Sequence, residues 1–194
     1  LSGCIGCRHA DHGENGSGRP YARSASPNGH SNGMSFRWAV GMTTAPRRNP
    51  TLEESLSSLI LAGWEHPRLF VEPDTELPGE ASECQITLRD EQMGAFPNWL
   101  LGLSELYLRT PRADAYIICQ DDSVFAGDLR TYLESTLWPA DDVGVVSLYC
   151  PAHYGTGGAA GYRAENHGWD TWGALAYVFP NPSLRQFLGD PLVI

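Results

Sequence analysis

The sequence predicts an α/β domain with a mostly parallel sheet flanked by helices. Three observations carry this. Short apolar runs alternate with stretches of helical periodicity, in the order β-α-β-α-β from residue 36 onward. The helical stretches carry their own start and stop signals. One apolar run, Ala115 to Cys119, delivers Gln120, Asp121 and Asp122 straight onto the loop after it.

FRWAVGMT, 36 to 43, reads as the first strand, and TTAPRRNP, 43 to 50, as a loop with two arginines. A helix is predicted from Thr51 to about Gly63. Thr51 and Glu54 have capping-box spacing. Leu52, Leu56, Leu59 and Ile60 make its apolar face, and Gly63 suits the position just past its end. RLFVE, 68 to 72, is a second strand, the loop PDTELPGEAS follows, and CQITL, 84 to 88, is a short extended piece. A second helix is predicted from near Pro97, since proline suits a first turn. It runs to about Arg109 with Leu100, Leu103, Leu106 and Tyr107 inward, and Thr110 and Pro111 stop it. The strand 115 to 119 comes next, then a helix near Leu129 to Thr136. VGVVSLY, 143 to 149, and ALAYVF, 174 to 179, are further strands separated by a Gly-rich loop, 151 to 168. Asn181 and Pro182 open a last helix to about Leu188, as N-cap and first helical residue.

Residues 1–34 differ from the rest. They are rich in Gly, Ser, Asn, Pro and His and lack apolar periodicity. Such a stretch buries too little to offset chain entropy, so it is predicted to be a disordered or loosely attached tail. The domain proper is 35–194. A hydrophobic fraction of 42% supports a core there.

The formal net charge of −10 argues against nucleic acid or an anionic membrane as the main partner. No apolar run reaches the roughly 18 residues of a bilayer span, so no integral membrane segment is expected. Five scattered cysteines do not make a disulfide scaffold. Buried free thiols are the simplest reading of Cys119 and Cys150, and a cytoplasmic setting is the expectation.

Paired carboxylates at the carboxyl end of a buried strand lie where open α/β sheets place ligand chemistry. Asp121 and Asp122 would suit a hard divalent cation, which in turn holds phosphate oxygens. The competing reading is that they cap a turn.

Taken together, the order of pieces resembles the nucleotide-sugar glycosyltransferases of the GT-A fold, family 2 type. The resemblance covers about 36 to 190. It rests on WAVGMTTAPRRNPTLEESLSSL after a strand, RLFVEPDT, NWLLGLSELYL, the strand ending in QDDS, and GWDTWGALAYVF. It implies a Rossmann-like nucleotide-binding core and transfer of a sugar from a nucleotide-diphosphate donor to a glycan or other hydroxyl acceptor.

The loop after the first strand would hold the nucleoside through Thr43, Thr44, Ala45, Pro46 and Arg47, with Arg47 or Arg48 reaching a phosphate. Arg48 also reads as a surface residue. Glu72 and Asp74, after the second strand, would sit near base or ribose. The metal motif reads Gln120-Asp121-Asp122. Asp122 is in place to ligate Mn²⁺ or Mg²⁺, while Gln120 stands where an acid is expected. Asp170 is the candidate general base. Trp169 is a candidate for stacking on a sugar, and Trp172 reads as core. The acceptor half is expected to be incomplete. The alternative is a non-catalytic GT-A-like module that binds nucleotide or glycan. A sugar-nucleotidyltransferase is disfavoured, because TTAPRR lacks the glycines such a signature carries.

Two further patterns carry less. Cys4 and Cys7 have zinc-like spacing with His9 and His12 nearby, but the ligand pairs are too close for a structural zinc site. GTGGAAG, 155 to 161, lacks the Lys-Ser/Thr ending of a phosphate loop and reads as an active-site loop flanked by His153 and His167.

Overall fold

The computed structural model describes residues 2–5, 36–136, 143–149, 162–165 and 174–193. Its strands are β1 (Ser2–Ile5), β2 (Trp38–Thr44), β3 (Arg68–Val71), β4 (Gln85–Leu88), β5 (Ala115–Gln120), β6 (Val145–Ser147), β7 (Tyr162–Glu165) and β8 (Ala176–Pro180). Its helices are α1 (Leu52–Leu61), α2 (Ala95–Arg109), α3 (Leu129–Thr136) and α4 (Asn181–Leu188), with a short 3₁₀ turn at Gly79–Glu83. The strands form one sheet in the order β4-β3-β2-β5-β8-β6-β1-β7. Its body is the six strands from β4 to β6. Four residues of the stretch read above as a loose tail, Ser2–Ile5, therefore lie in the sheet, paired with β6 and β7.

The sheet is mixed, so the expectation of a mostly parallel one holds only in part. β2 runs parallel to β3 and β5, and β3 parallel to β4. β8 is antiparallel to both β5 and β6. Parallel neighbours need a crossover, usually a helix. α1, α2 and α3 follow β2, β4 and β5 in the chain. No described helix separates β6 from β8, and the chain returns in the opposite sense.

Alternation along the strands builds two cores. Ala115, Ile117 and Cys119 of β5 face one side with Met42, Leu69 and Val71, and are covered by Leu52, Leu56 and Leu59 of α1 and Leu133 of α3. Tyr116 and Ile118 face the other with Phe70, covered by Trp99, Leu103 and Leu106 of α2 and Leu184 of α4. Gly41 and Gly102 allow α2 close to the sheet. A Cβ on either would come within 2.8 Å of the Phe70 ring.

Three helix-end expectations are corrected. Thr51 is the N-cap of α1, but its hydroxyl makes no capping bond. α2 begins at Ala95, not Pro97, with Gly94 as N-cap at φ 85°. Asn181 lies inside α4, and its amide donates to the Pro111 and Ala113 carbonyls instead of capping. Gly63 at φ 110° ends α1 as expected. No described helix is long and apolar enough to cross a membrane.

Candidate functional site

β2 sends the chain on to β3 and β4 on one side, while β5 lies on its other side. The strand order therefore reverses between β2 and β5. In open α/β sheets, the crevice beyond the carboxyl ends of such strands is where ligands bind. Thr44 ends β2, and Asp121 directly follows β5.

A cavity of about 330 Å³ opens here. The loop after β2 contributes Ala45, Pro46, Arg47, Arg48 and Pro50 to its wall, and the start of α1 contributes Thr51 and Leu52. Asp74, Thr75 and Glu76, from the loop after β3, complete it with Thr44 and Asp121. The volume is near the lower end of the roughly 300–1,000 Å³ usual for ligand sites.

Asp121 is the fixed point. It is 2% exposed. Thr44 Oγ1 donates to its Oδ2 at 2.6 Å. Arg47 donates to its Oδ1 from Nη2 at 2.6 Å and from Nε at 3.0 Å. The same Nη2 lies 3.4 Å from Asp122 Oδ2, so one guanidinium spans both carboxylates. The hydrogen bond to Asp121 raises the pKa of Arg47 above its usual value, against the opposing effect of burial.

The loop carrying the acids is tied to α1. Ser55 Oγ donates to the Asp121 carbonyl at 2.6 Å, and the Phe125 amide donates to Ser58 Oγ at 3.1 Å. Sequence reasoning passed over both serines. Their signal was available: two hydroxyls on the same buried face as Leu52, Leu56 and Leu59 need partners.

The expected site residues divide into groups. Thr44, Ala45, Pro46, Arg47, Asp74 and Asp121 come together on the cavity. Arg48, Thr51, Thr75 and Glu76 join them, although none was among the expected set apart from Arg48's alternative. Thr43 does not line it; its hydroxyl turns to the Cys119 carbonyl at 3.4 Å. Glu72 does not line it either. It is 1% exposed and accepts from the Met93 amide at 2.7 Å and the Gly94 amide at 3.1 Å. Its charge holds the start of α2, a structural use in place of the expected nucleoside contact. Gln120 donates its amide to the Ala174 carbonyl at 3.2 Å. Asp122 is a third exposed and stands beside the cavity wall. Asp170, Trp169, Trp172, Cys7, His9, His12, Cys150, His153, His167 and the GTGGAAG loop lie outside the described residues.

Asp74 occupies the left-handed region at φ 61°, which a short polar side chain tolerates. Thr51 Oγ1 is buried and makes no hydrogen bond among the described residues. It is an orphaned hydroxyl on a residue that lines the cavity.

A Mn²⁺ or Mg²⁺ ion does not fit the carboxylates as they stand. Hard cations require several oxygen ligands, about six for Mg²⁺. Both oxygens of Asp121 are engaged, and Asp122 shares the same arginine. Among the described residues, no group of three or more His, Cys, Asp or Glu is placed to hold a metal.

No family model matches the chain, and no curated protein matches it.

Proposed function

We propose that this chain binds the nucleoside-diphosphate part of a sugar donor in the switch-point cavity and transfers the sugar to an acceptor hydroxyl. One observation carries the reading. The cavity at the β2–β5 reversal joins the arginines of one loop to the acids of another. Arg47 and Arg48 follow β2 and suit phosphate oxygens. Asp74 and Glu76 follow β3 and suit ribose hydroxyls or a base edge. Of these, Arg47, Arg48 and Asp74 are positions that the GT-A resemblance gives to phosphate and nucleoside; Glu76 is an addition, as is Thr51 on the same wall, and Thr43 and Glu72 stand off the cavity. The Rossmann-like GT-A core belongs to this proposal, as does Asp170 as the base that deprotonates the acceptor.

A second reading, binding without turnover, draws support from Gln120, a neutral residue in the acidic motif that is already engaged with the Ala174 carbonyl.

The first test is thermal unfolding of the purified chain against UDP, GDP, CDP, ADP and dTDP. A nucleotide at 100 times its Kd stabilises by about 2.7 kcal/mol. One nucleotide should raise Tm, and Asp74→Asn, which keeps the left-handed backbone, should reduce that rise. No shift with any nucleotide on folded protein removes the donor-site reading. Release of the matching nucleoside diphosphate from its sugar conjugates, with an acceptor present, separates a transferase from a binder.

A further inference from the structure

We propose that Arg47 takes the place of the divalent cation at this site, so that the nucleoside diphosphate binds without Mn²⁺ or Mg²⁺. The proposal rests on the donor-site reading above. Three observations converge on it. First, the Arg47 guanidinium spans Asp121 and Asp122, at 2.6 and 3.4 Å from Nη2, where a metal between the two acids would sit. A cation placed there would face a guanidinium that keeps its proton at any accessible pH.

Second, each oxygen of Asp121 already accepts a hydrogen bond. Thr44 holds Oδ2 and Arg47 holds Oδ1, and the side chain is nearly sealed from solvent. A metal would have to expel Arg47 from a buried carboxylate before binding it. Third, the residue before the pair is Gln120, whose amide is committed to the Ala174 carbonyl. The pair gains no third charge from that side, and with Arg47 in place the cluster keeps a single net negative charge. That weakens its hold on a dication.

Arg47 is also equipped for the second half of the task. Nε and Nη2 are spent on the acids, while Nη1 makes no hydrogen bond among the described residues. Arg47 lines the cavity together with Arg48, which has no ion pair among the described residues. The acids therefore orient Arg47 and leave one face of its fork for phosphate oxygens. The two N–H groups of Nη1 remain to give phosphate oxygens charge-assisted hydrogen bonds.

The test is calorimetric titration of the whole chain with the nucleoside diphosphate that stabilises it, once in excess EDTA and once in saturating Mn²⁺. The affinity is expected to agree within about twofold between the two, since a shared fixed cation makes the added ion redundant. Arg47→Ala is expected to weaken binding in EDTA by about tenfold or more, the loss of one charge-assisted hydrogen-bonded group. In the same variant the freed carboxylates should accept Mn²⁺, which titration with Mn²⁺ alone detects and which wild type should not show. Binding that appears only with Mn²⁺ in wild type overturns the proposal and leaves the donor site standing. Binding of no nucleotide in either condition overturns both. The wild-type comparison decides the matter even if Arg47→Ala fails to fold, and Arg47→Lys, which keeps the charge, provides a milder variant.

Discussion

Glu72 and Asp121 look alike in the sequence and are used differently. Each directly follows an apolar strand of the parallel half of the sheet, β3 or β5. They are the two acids among the described residues that are fully buried. Glu72 spends both oxygens on backbone amides, Met93 and Gly94, where α2 begins. Asp121 spends its oxygens on side chains, Thr44 and Arg47, both on the cavity wall. Backbone partners make a carboxylate part of the frame. Side-chain partners facing a crevice make it part of a site. Position at a strand end identifies a place for chemistry, and the partners decide whether chemistry occupies it.

The largest effect should come from Asp121→Ala. It leaves the Thr44 hydroxyl without its acceptor and Arg47 with Asp122 alone. The Arg47 side chain is 36% exposed, so water screens the charge left behind and the cost falls to about 2–3 kcal/mol, below that of a fully buried pair. Urea unfolding should show a loss of that size together with loss of any nucleotide-induced rise in Tm. A stable variant that still binds nucleotide would end the distinction drawn here.

Glu72→Gln comes next. One amide donor would then face a backbone N–H, at a cost of about 2 kcal/mol for an unmet buried bond. Stability should fall while nucleotide affinity stays unchanged, measured by titration. A change in affinity would place Glu72 in the site after all.

Gly102→Ala tests the frame that Glu72 supports. The new Cβ would meet the Phe70 ring at 2.8 Å. Overpacking of this kind costs about 1–2 kcal/mol. The loss should appear in unfolding, again with affinity retained.

The smallest effect concerns pH. Burial pushes the Asp114 carboxyl up, but the side-chain and backbone hydrogen bonds and the charge of Arg37 outweigh it and hold the pKa below 3.8. A carboxyl depressed on folding adds stability that is present above its unfolded value and is lost as pH falls through its folded one. Tm should therefore decline below about pH 3.8, and Asp114→Asn should remove a small part of that slope. Tyr116 gives the opposite sign at the alkaline end. Burial raises its hydroxyl to about 12, so its contribution is lost as pH climbs from about 10 toward 12.

Residues 36–136 were legible because local signals and burial agreed there. β2, β3, β5, α1 and α3 lie within a few residues of their expected places. The apolar stripe of α1 and the alternation of β5 each point to the face they cover. The cavity loop was also legible, since Thr44 to Arg47 followed the first strand at the edge of an expected crevice. Helix caps were less so. Thr51 has the spacing of a capping box, yet its hydroxyl makes no capping bond. Asn181 has the residue type of an N-cap, but three acceptors across the fold took its amide.

Within 36–136 the sequence by itself determined which segments are strands and helices, because periods of 2 and 3.6 are properties of the local chain; β1 and β7, in stretches read as tail and loop, were not legible. It also determined that carboxylates would stand at the ends of β3 and β5. The tertiary structure alone decided that β8 inserts antiparallel between β5 and β6, since strand direction depends on how a distant segment returns. It alone decided that Arg47, 74 residues away in the chain, closes on Asp121. Pairing of a buried charge is set by whichever partner the packed fold brings within about 3 Å, and no local pattern encodes that distance.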